Sequence, residues 1–380
     1  MGNRSRRSRT RTKAAVGAAS TGGRAQESVQ GPAGTRTRRL FSPVLLFALV
    51  ATACLVLAVT YVTAAVLRNP SRAALVPTPS ASGPGPGTAS QAPEATSTAS
   101  ATPQIVFQNV ERDEGYGQVA VVPIDNPGAP RALTGLTCER VHFAAGKGLC
   151  LVPEGGLVST YSEITFDSSF QPIHRVALGG APTRTRVSPD GRYGAATVFV
   201  FGHSYADANF STQTTIIDMA SGTPLGDLET FTTLRDDLPW ASEDFNFWGV
   251  TFMPDDSNRF YATVRSSGQT HLVAGDIQAR TMRVLRENVE CPSLSPDGTR
   301  IAFKKLTEGL VGQWRLHVLD LATLAETPLA ETRNIDDQVE WLDNESVLYG
   351  DGQDIWTVAT DGSGPPRLFI AAALSPAVVR

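Results

Sequence analysis

Side chains able to do chemistry are few in this chain, and they are scattered. Its five histidines, His142, His174, His203, His271 and His317, fall in different stretches, so a metal centre would need the fold to gather them. His142, His271 and His317 sit inside strand-like runs, where packing or hydrogen bonding is the expected role. His203 differs: in FGHSYADANF it stands in a loop beside Ser204, Tyr205 and Asp207, which makes His203 and Tyr205 candidate binding residues. The sequence contains no Gly-x-Ser-x-Gly elbow, no His-Glu-x-x-His, no Cys-x-x-Cys and no phosphate-cradling glycine loop. The acid pairs Asp236-Asp237, Asp255-Asp256 and Asp336-Asp337 invite hard cations, yet none has the spacing of a calcium loop. We therefore expect no catalytic residue, no metal site and no cofactor.

The strongest binding signal is TTLRDDLPWASEDFNFW from Thr232, where aromatic residues alternate with charges as they do in interface anchors. Trp240, beside Pro239, is the expected exposed anchor, with Asp236, Asp237 and Glu243 around it. Phe247 and Trp248 are expected to begin a strand and pack inside. Cys138 and Cys150 flank a short hairpin at residues 144–147 at nearly equal distances from its tip, a placement suited to a disulfide. Cys291 is left as a buried thiol or a reactive singleton.

What must position these residues is a repeat. Ser-Pro-Asp-Gly occurs at residues 188–191 and 295–298, each time after an apolar residue and before a second apolar run: VSPDGRYGAATVF from Val187 and LSPDGTRIAFKK from Leu294. Degenerate copies are FMPDDSNRFYATV from Phe252, HFAAGKGLCLV from His142 and EWLDNESVLYG from Glu340. Proline presets the first central φ of a type I turn and glycine tolerates the exit, so each phrase predicts a tight hairpin. The marker positions Ala144, Pro189, Pro254, Pro296, Leu342 and Pro376 lie 45, 65, 42, 46 and 34 residues apart. Four-stranded propeller blades repeat at roughly 40 to 45 residues. A second hairpin follows each first one, as in HLVAGDIQARTMRVL from His271 and LHVLDLATLAETPL from Leu316. QVAVVPIDNPGAPRAL from Gln118 lacks a preceding turn phrase, and AALSPAVV from Ala372 has nothing after it. The two predict one blade shared between the chain ends, which closes the ring and removes free sheet edges. The fold expected is all-β, a six-bladed β-propeller.

On these phrases the chain resembles the TolB-type six-bladed β-propellers, over about residues 104 to 380. The resemblance implies the fold and little about activity, because the same blade serves periplasmic scaffolds, propellers attached to serine peptidases and other envelope proteins. The chain departs from TolB itself in having an apolar segment and a linker where TolB has an additional N-terminal domain.

Residues 40–67 run for 28 positions without a charge, more than the roughly 20 a hydrocarbon core requires. Ten Lys and Arg precede this run against one acid, while only Arg68 and Arg72 follow closely. The expected topology is one transmembrane helix with a cytoplasmic amino terminus. Residues 1–39 then form a disordered basic tail, residues 68–103 a Pro/Ala/Ser/Thr-rich linker, and residues 104–380 an extracytoplasmic propeller. From Gln104 onward 21 basic residues face 35 acidic ones, a net −14 that repels nucleic acid and suits a basic partner. The expected function is that of a membrane-tethered, non-catalytic binding or scaffold module of the bacterial envelope, whose partner is a protein, peptide or glycan. The alternative is a propeller enzyme, a lyase or hydrolase, which would need His203, Arg184, Arg186, Glu290 and Lys304 to converge at one mouth of the channel.

Overall fold

The computed structural model describes residues 52–54, 56–57, 60, 103–156, 159–200, 211–307 and 313–380. The chain forms two compact units, Met1–Glu94 and Ala95–Arg380. In the first, the six described residues are helical and exposed. No described helix is long and apolar enough to cross a membrane, and most of the 40–67 run lies outside the described residues, as do the tail and nearly all of the linker.

The second unit is built of strands in six sheets. Blade 1 joins the chain ends: Ala373–Val379 pairs antiparallel with Gln104–Asn109, followed by Gln118–Pro123 and Ala132–Thr137. The inner strands of the other blades are Arg140–Ala144 in blade 2, Ala181–Val187 in blade 3, Asn246–Phe252 in blade 4, Glu290–Leu294 in blade 5 and Glu340–Trp341 in blade 6. The expected six-bladed propeller with a shared first blade is thus the observed architecture.

The two Ser-Pro-Asp-Gly turns are built alike. Ser188 Oγ donates to Asp190 Oδ1 (2.6 Å) and accepts the Tyr193 amide (2.9 Å), while Gly191 takes φ +68° and donates to Ser188 O. Ser295, Asp297, Gly298 and Arg300 repeat the pattern. Turn chemistry thus accounts for Asp190 and Asp297.

One marker was misplaced. Pro376 lies within the last strand, and Ser375 before it takes φ +54°, as Cys291 before Pro292 takes φ +49°. The Leu-Ser-Pro near the end therefore corresponds to the bulge of an inner strand and not to its turn. Inner strands of blades 1, 3, 4 and 5 all show such a register shift. A bulge raises the local twist and re-aims side chains. At Gly249, with φ +68°, an added Cβ would come within 2.7 Å of Cys291 Cα, so the axial approach of blades 4 and 5 requires glycine.

An inner strand has one edge unpaired within its own sheet, and its backbone groups need partners. The neighbouring blade supplies several of them from side chains. Ser375 Oγ accepts the Val141 amide and donates to the Val141 carbonyl, both at 3.0 Å. His142 Nδ1 accepts from Val187 N (3.1 Å), Thr251 Oγ1 from Leu294 N (3.1 Å) and Thr263 Oγ1 from Cys291 N (2.9 Å). Trp341 Nε1 donates to Ser293 O at 2.8 Å. Apolar clusters fill the space between sheets, the largest around Phe231, Phe247, Phe252 and Phe260.

Cys138 and Cys150 are joined, with Cα atoms 5.4 Å apart. Cys138 lies before the inner strand of blade 2 and Cys150 in its second strand, so the bond ties the crossing from blade 1 to the body of blade 2. Cys291 is a free, buried thiol.

Candidate functional site

The long interval between blades 3 and 4 does not form a loop over one face. Thr232–Arg235 pairs parallel with the outer strand of blade 4, Thr281–Glu287, and Leu238–Pro239 adds a further edge, making a six-stranded sheet. Asp236 and Asp237 are the exposed tip of this ribbon, at φ +51° and +62°, and Asp237 pairs with Arg283. Trp240 is half-buried and not a free anchor: it packs edge-on to Phe245 (4.8 Å) and His271 (5.3 Å), beneath Arg235. An extra strand here covers an otherwise open sheet edge, and the indole supplies the apolar face that holds it. Glu243 is exposed beside this ribbon. None of these four residues lines either axial cup. His203 and Tyr205 lie outside the described residues.

The axis carries the more organised chemistry. His142, Arg186, Thr251, Ser293 and Glu340 of blades 2 to 6 each stand just before a buried apolar residue of the inner strand, Phe143, Val187, Phe252, Leu294 and Trp341, and all five line the channel. Arg186 of blade 3 crosses the axis to the opposite blade 6, forming an ion pair with Glu340 and donating to the Val339 carbonyl (3.2 Å). It also reaches Ser293 Oγ of blade 5. Glu340 Oε1 accepts the Val378 amide of blade 1 (3.2 Å), and His142 Nε2 of blade 2 stands 3.6 Å from Glu340 Oε2. Gln338 donates to the bulge carbonyls Val250 O (3.1 Å) and Pro292 O (2.9 Å) of blades 4 and 5. The network draws on all six blades and plugs the channel at mid-depth.

Burial alone would raise the Glu340 pKa, but the Arg186 guanidinium, with His142 and the Val378 amide, holds the carboxyl at about 2. Burial and the Arg186 charge hold His142 below its ordinary value, so at neutral pH the ring is uncharged. With Nδ1 accepting from Val187, Nε2 is left to face both Glu340 Oε2 (3.6 Å) and Arg186 Nη1 (3.1 Å).

The plug separates two cups. On the side of the Ser-Pro-Asp-Gly turns is a space of about 270 Å³ walled largely by Pro189, Pro254, Pro296 and apolar neighbours. The opposite cup is larger, about 480 Å³, and more highly charged. Its floor carries Arg140 and Arg184, which stand two residues before His142 and Arg186 on the same strands. Lys304 pairs with Asp336, lies 3.8 Å from Glu290, and sits 4.6 Å over the Trp314 ring. Arg184 Nη2 is 3.7 Å from Asp336 Oδ1. Phe199, Trp248 and Trp314 supply the aromatic wall. Burial works against the Lys304 charge, but the charges around it, Asp336 among them, hold its pKa above the ordinary value. Burial likewise works to raise Asp336, which Lys304 and Arg184 nonetheless hold below the usual carboxylate range. Of the five residues that an enzyme would have gathered, Arg184, Glu290 and Lys304 meet here, Arg186 is committed to the plug, and His203 is outside the described residues. The sequence carries no local signal for Arg140, Glu340, Gln338 or Ser293, while His142, expected to pack or to hydrogen-bond, accepts from the Val187 amide. Among the described residues, no group of three or more His, Cys, Asp or Glu is placed to hold a metal.

Two carboxyls away from the axis have no cation beside them among the described residues. Glu163, 3% exposed, faces a cleft of about 240 Å³ between blades 2 and 3, and burial pushes its pKa up to about 7. Glu229, with both oxygens buried and unbonded, is pushed up to about 8, chiefly by burial and further by Asp227. A folded pKa above the unfolded value means that the folded state binds the proton more tightly, so stability falls as pH rises from about 4.5 through 7 to 8. For Glu163 the full shift corresponds to about 3 kcal/mol. We expect the melting temperature to decline between about pH 5 and pH 8 and the Glu163→Gln/Glu229→Gln variant to flatten that decline. A variant with the parent's pH profile would contradict the assignment.

Compared with known proteins, the chain matches no family model and no curated protein sequence. Among solved structures it is similar to TolB from Acinetobacter baumannii, at 15% identity and a TM-score of 0.49, covering 73% of this chain and 66% of that one. It is also similar to a puromycin-hydrolyzing peptidase of Mycobacterium tuberculosis (12%, TM-score 0.45, 71% and 43%) and to an oligogalacturonate lyase from Vibrio parahaemolyticus (10%, 0.41, 66% and 71%). Similarity of this order assigns neither ligand nor activity.

Proposed function

We propose that this protein is a membrane-tethered, extracytoplasmic binding module of the bacterial envelope that holds a protein or peptide partner in the Arg140/Arg184 cup without transforming it. One observation carries the reading: the axial titratable groups are engaged with one another, Glu340 with Arg186 and the Val378 amide and Asp336 with Lys304, and Glu340, Asp336, Lys304 and His142 are each shifted away from neutrality. Glu340 is pinned ionised, Asp336 is held ionised, Lys304 is held protonated and His142 is held neutral. A general acid or base needs a pKa near the working pH. Such an arrangement favours a rigid receptor. The charge asymmetry around the 40–67 run supports the tether and its direction. A reporter active only in the cytosol and fused after Arg380 is expected to be silent; a bright one would contradict the topology.

The convergence of Arg184, Glu290 and Lys304 favours a second reading, an enzyme acting at the same cup. That reading requires purified protein to turn over a small ester, peptide or acidic sugar, and Lys304→Met to abolish the turnover without lowering the melting temperature.

A further inference from the structure

Arg140 and Arg184 are adjacent cations in a cup also lined by Glu139, Glu290 and Asp336. Arg140 Nε and Arg184 Nη1 donate to the same oxygen, the Thr183 carbonyl, at 2.9 and 2.8 Å. Arg184 Nη1 also donates to Thr183 Oγ1 (3.1 Å) and Arg184 Nη2 to the Asp336 carbonyl (3.4 Å). Arg140 forms no ion pair among the described residues, and Arg184 Nε is buried without an acceptor. The nearest carboxylate to Arg184, Asp336, already neutralises Lys304. Burial and the neighbouring Arg184 charge lower the Arg140 pKa against the opposing pull of Asp337, Glu139 and Asp336. The guanidinium donors that these contacts leave open, those of Arg140 above all, form a receptor for an anion, since an Arg–carboxylate pair places parallel N–H donors on both oxygens.

Resting on the binding-module reading, we propose that the cup receives the C-terminal residue of a polypeptide, its free carboxylate held between Arg140 and Arg184 and its side chain against Trp248 and Phe199. Three observations select this ligand. Beneath the cup the axis narrows to a space of about 30 Å³ among Arg140, Arg184, Arg186 and Glu340, too small to pass a polypeptide, so a polymer entering the cup must end there. Its volume, about 480 Å³, is that of a small-ligand pocket and takes one or two residues. The domain around it is strongly acidic, so polyanions are repelled at long range while a basic protein with one terminal carboxylate is steered in.

The full chain in detergent micelles is titrated by calorimetry with N-acetyl-Ala-Ala-Phe, with the same peptide as its C-terminal amide, and with glucuronate. The free acid is expected to bind at least about tenfold more tightly than the amide, roughly the worth of one charge-assisted contact. Arg140→Gln should remove that preference, while a perimeter control, Arg283→Gln, should preserve it. Because Arg140 is tied to the fold by one hydrogen bond to Thr183, melting temperatures measured alongside separate lost binding from lost folding; if Arg140→Gln melts early, Arg140→Lys, which keeps the charge but not the fork, serves instead. Equal binding of acid and amide, preferential binding of glucuronate, or no binding of either peptide overturns the proposal. If acid and amide bind alike while a native partner still crosslinks at the cup, the carboxylate assignment fails and the module reading stands. Free-acid preference with partner contacts elsewhere would do the reverse.

Discussion

Removing residues 372–380 should leave the protein insoluble or melting more than about 10 °C below its parent. The nine residues look like a dispensable tail, yet they carry the inner strand of blade 1. Ala373 and Ala377 are fully buried, and the strand pairs along Gln104–Asn109. Ser375 bonds the Val141 amide and carbonyl of blade 2, Val378 donates to Glu340, and Arg380 donates to the Trp341 and Leu342 carbonyls of blade 6. Deletion would open the ring on both sides and expose unpaired backbone together with apolar side chains. At roughly 2 to 4 °C per kcal/mol for a domain of this order, a loss of several kcal/mol gives the stated shift. Deleting residues 69–101, from the linker, should leave the melting temperature unchanged. A C-terminal truncation that melts like the parent would refute closure by the shared blade.

The second large effect belongs to the plug. Glu340→Ala leaves the Arg186 guanidinium buried without its counter-charge, and breaking a buried pair from one side costs about 3 to 5 kcal/mol. Arg186→Met/Glu340→Leu removes both charges, and replacing a buried pair by apolar groups is often close to neutral, so the double variant should be more stable than either single variant. The pair also sets an acid limit. Because the Glu340 pKa is depressed to about 2, its contribution is fully present above the unfolded value of about 4.3 and is lost as pH falls towards 2. The double variant should lose that part of the acid sensitivity. Single and double variants of equal stability would mean that the ion pair does not hold the axis.

The fold was legible because its signals are local. Proline, aspartate and glycine at fixed offsets specify a hairpin whatever surrounds them, and the spacing of hairpins specifies blades. The incomplete first and last units implied closure. The last marker misled because Leu-Ser-Pro is compatible with both a turn and a bulge, and only the backbone at Ser375 separates them. The site was less legible because its residues are distant in sequence. His142, Arg186, Thr251, Ser293 and Glu340 share one position of the repeat, so a column of polar residues where a core strand should be apolar was available as a signal. That signal runs down the repeat, and no local motif along the chain marks it. Trp240 misled for the opposite reason: an aromatic among acids suits a perimeter strand as well as an exposed anchor, and only the pairing of Thr232–Arg235 with Thr281–Glu287 decides.

The central claim is that the axial cup, and not the turn face or the perimeter ribbon, is where this protein meets its partner. The direct measurement is site-specific photocrosslinking in intact cells, with the reactive side chain placed at Ala181 on the cup, at Ala145 on the turn face, or at Leu238 on the ribbon. A discrete adduct from Ala181 alone, lost in the Arg140→Gln background, is the expected result. Adducts from Ala145 or Leu238 with none from Ala181 would contradict the account.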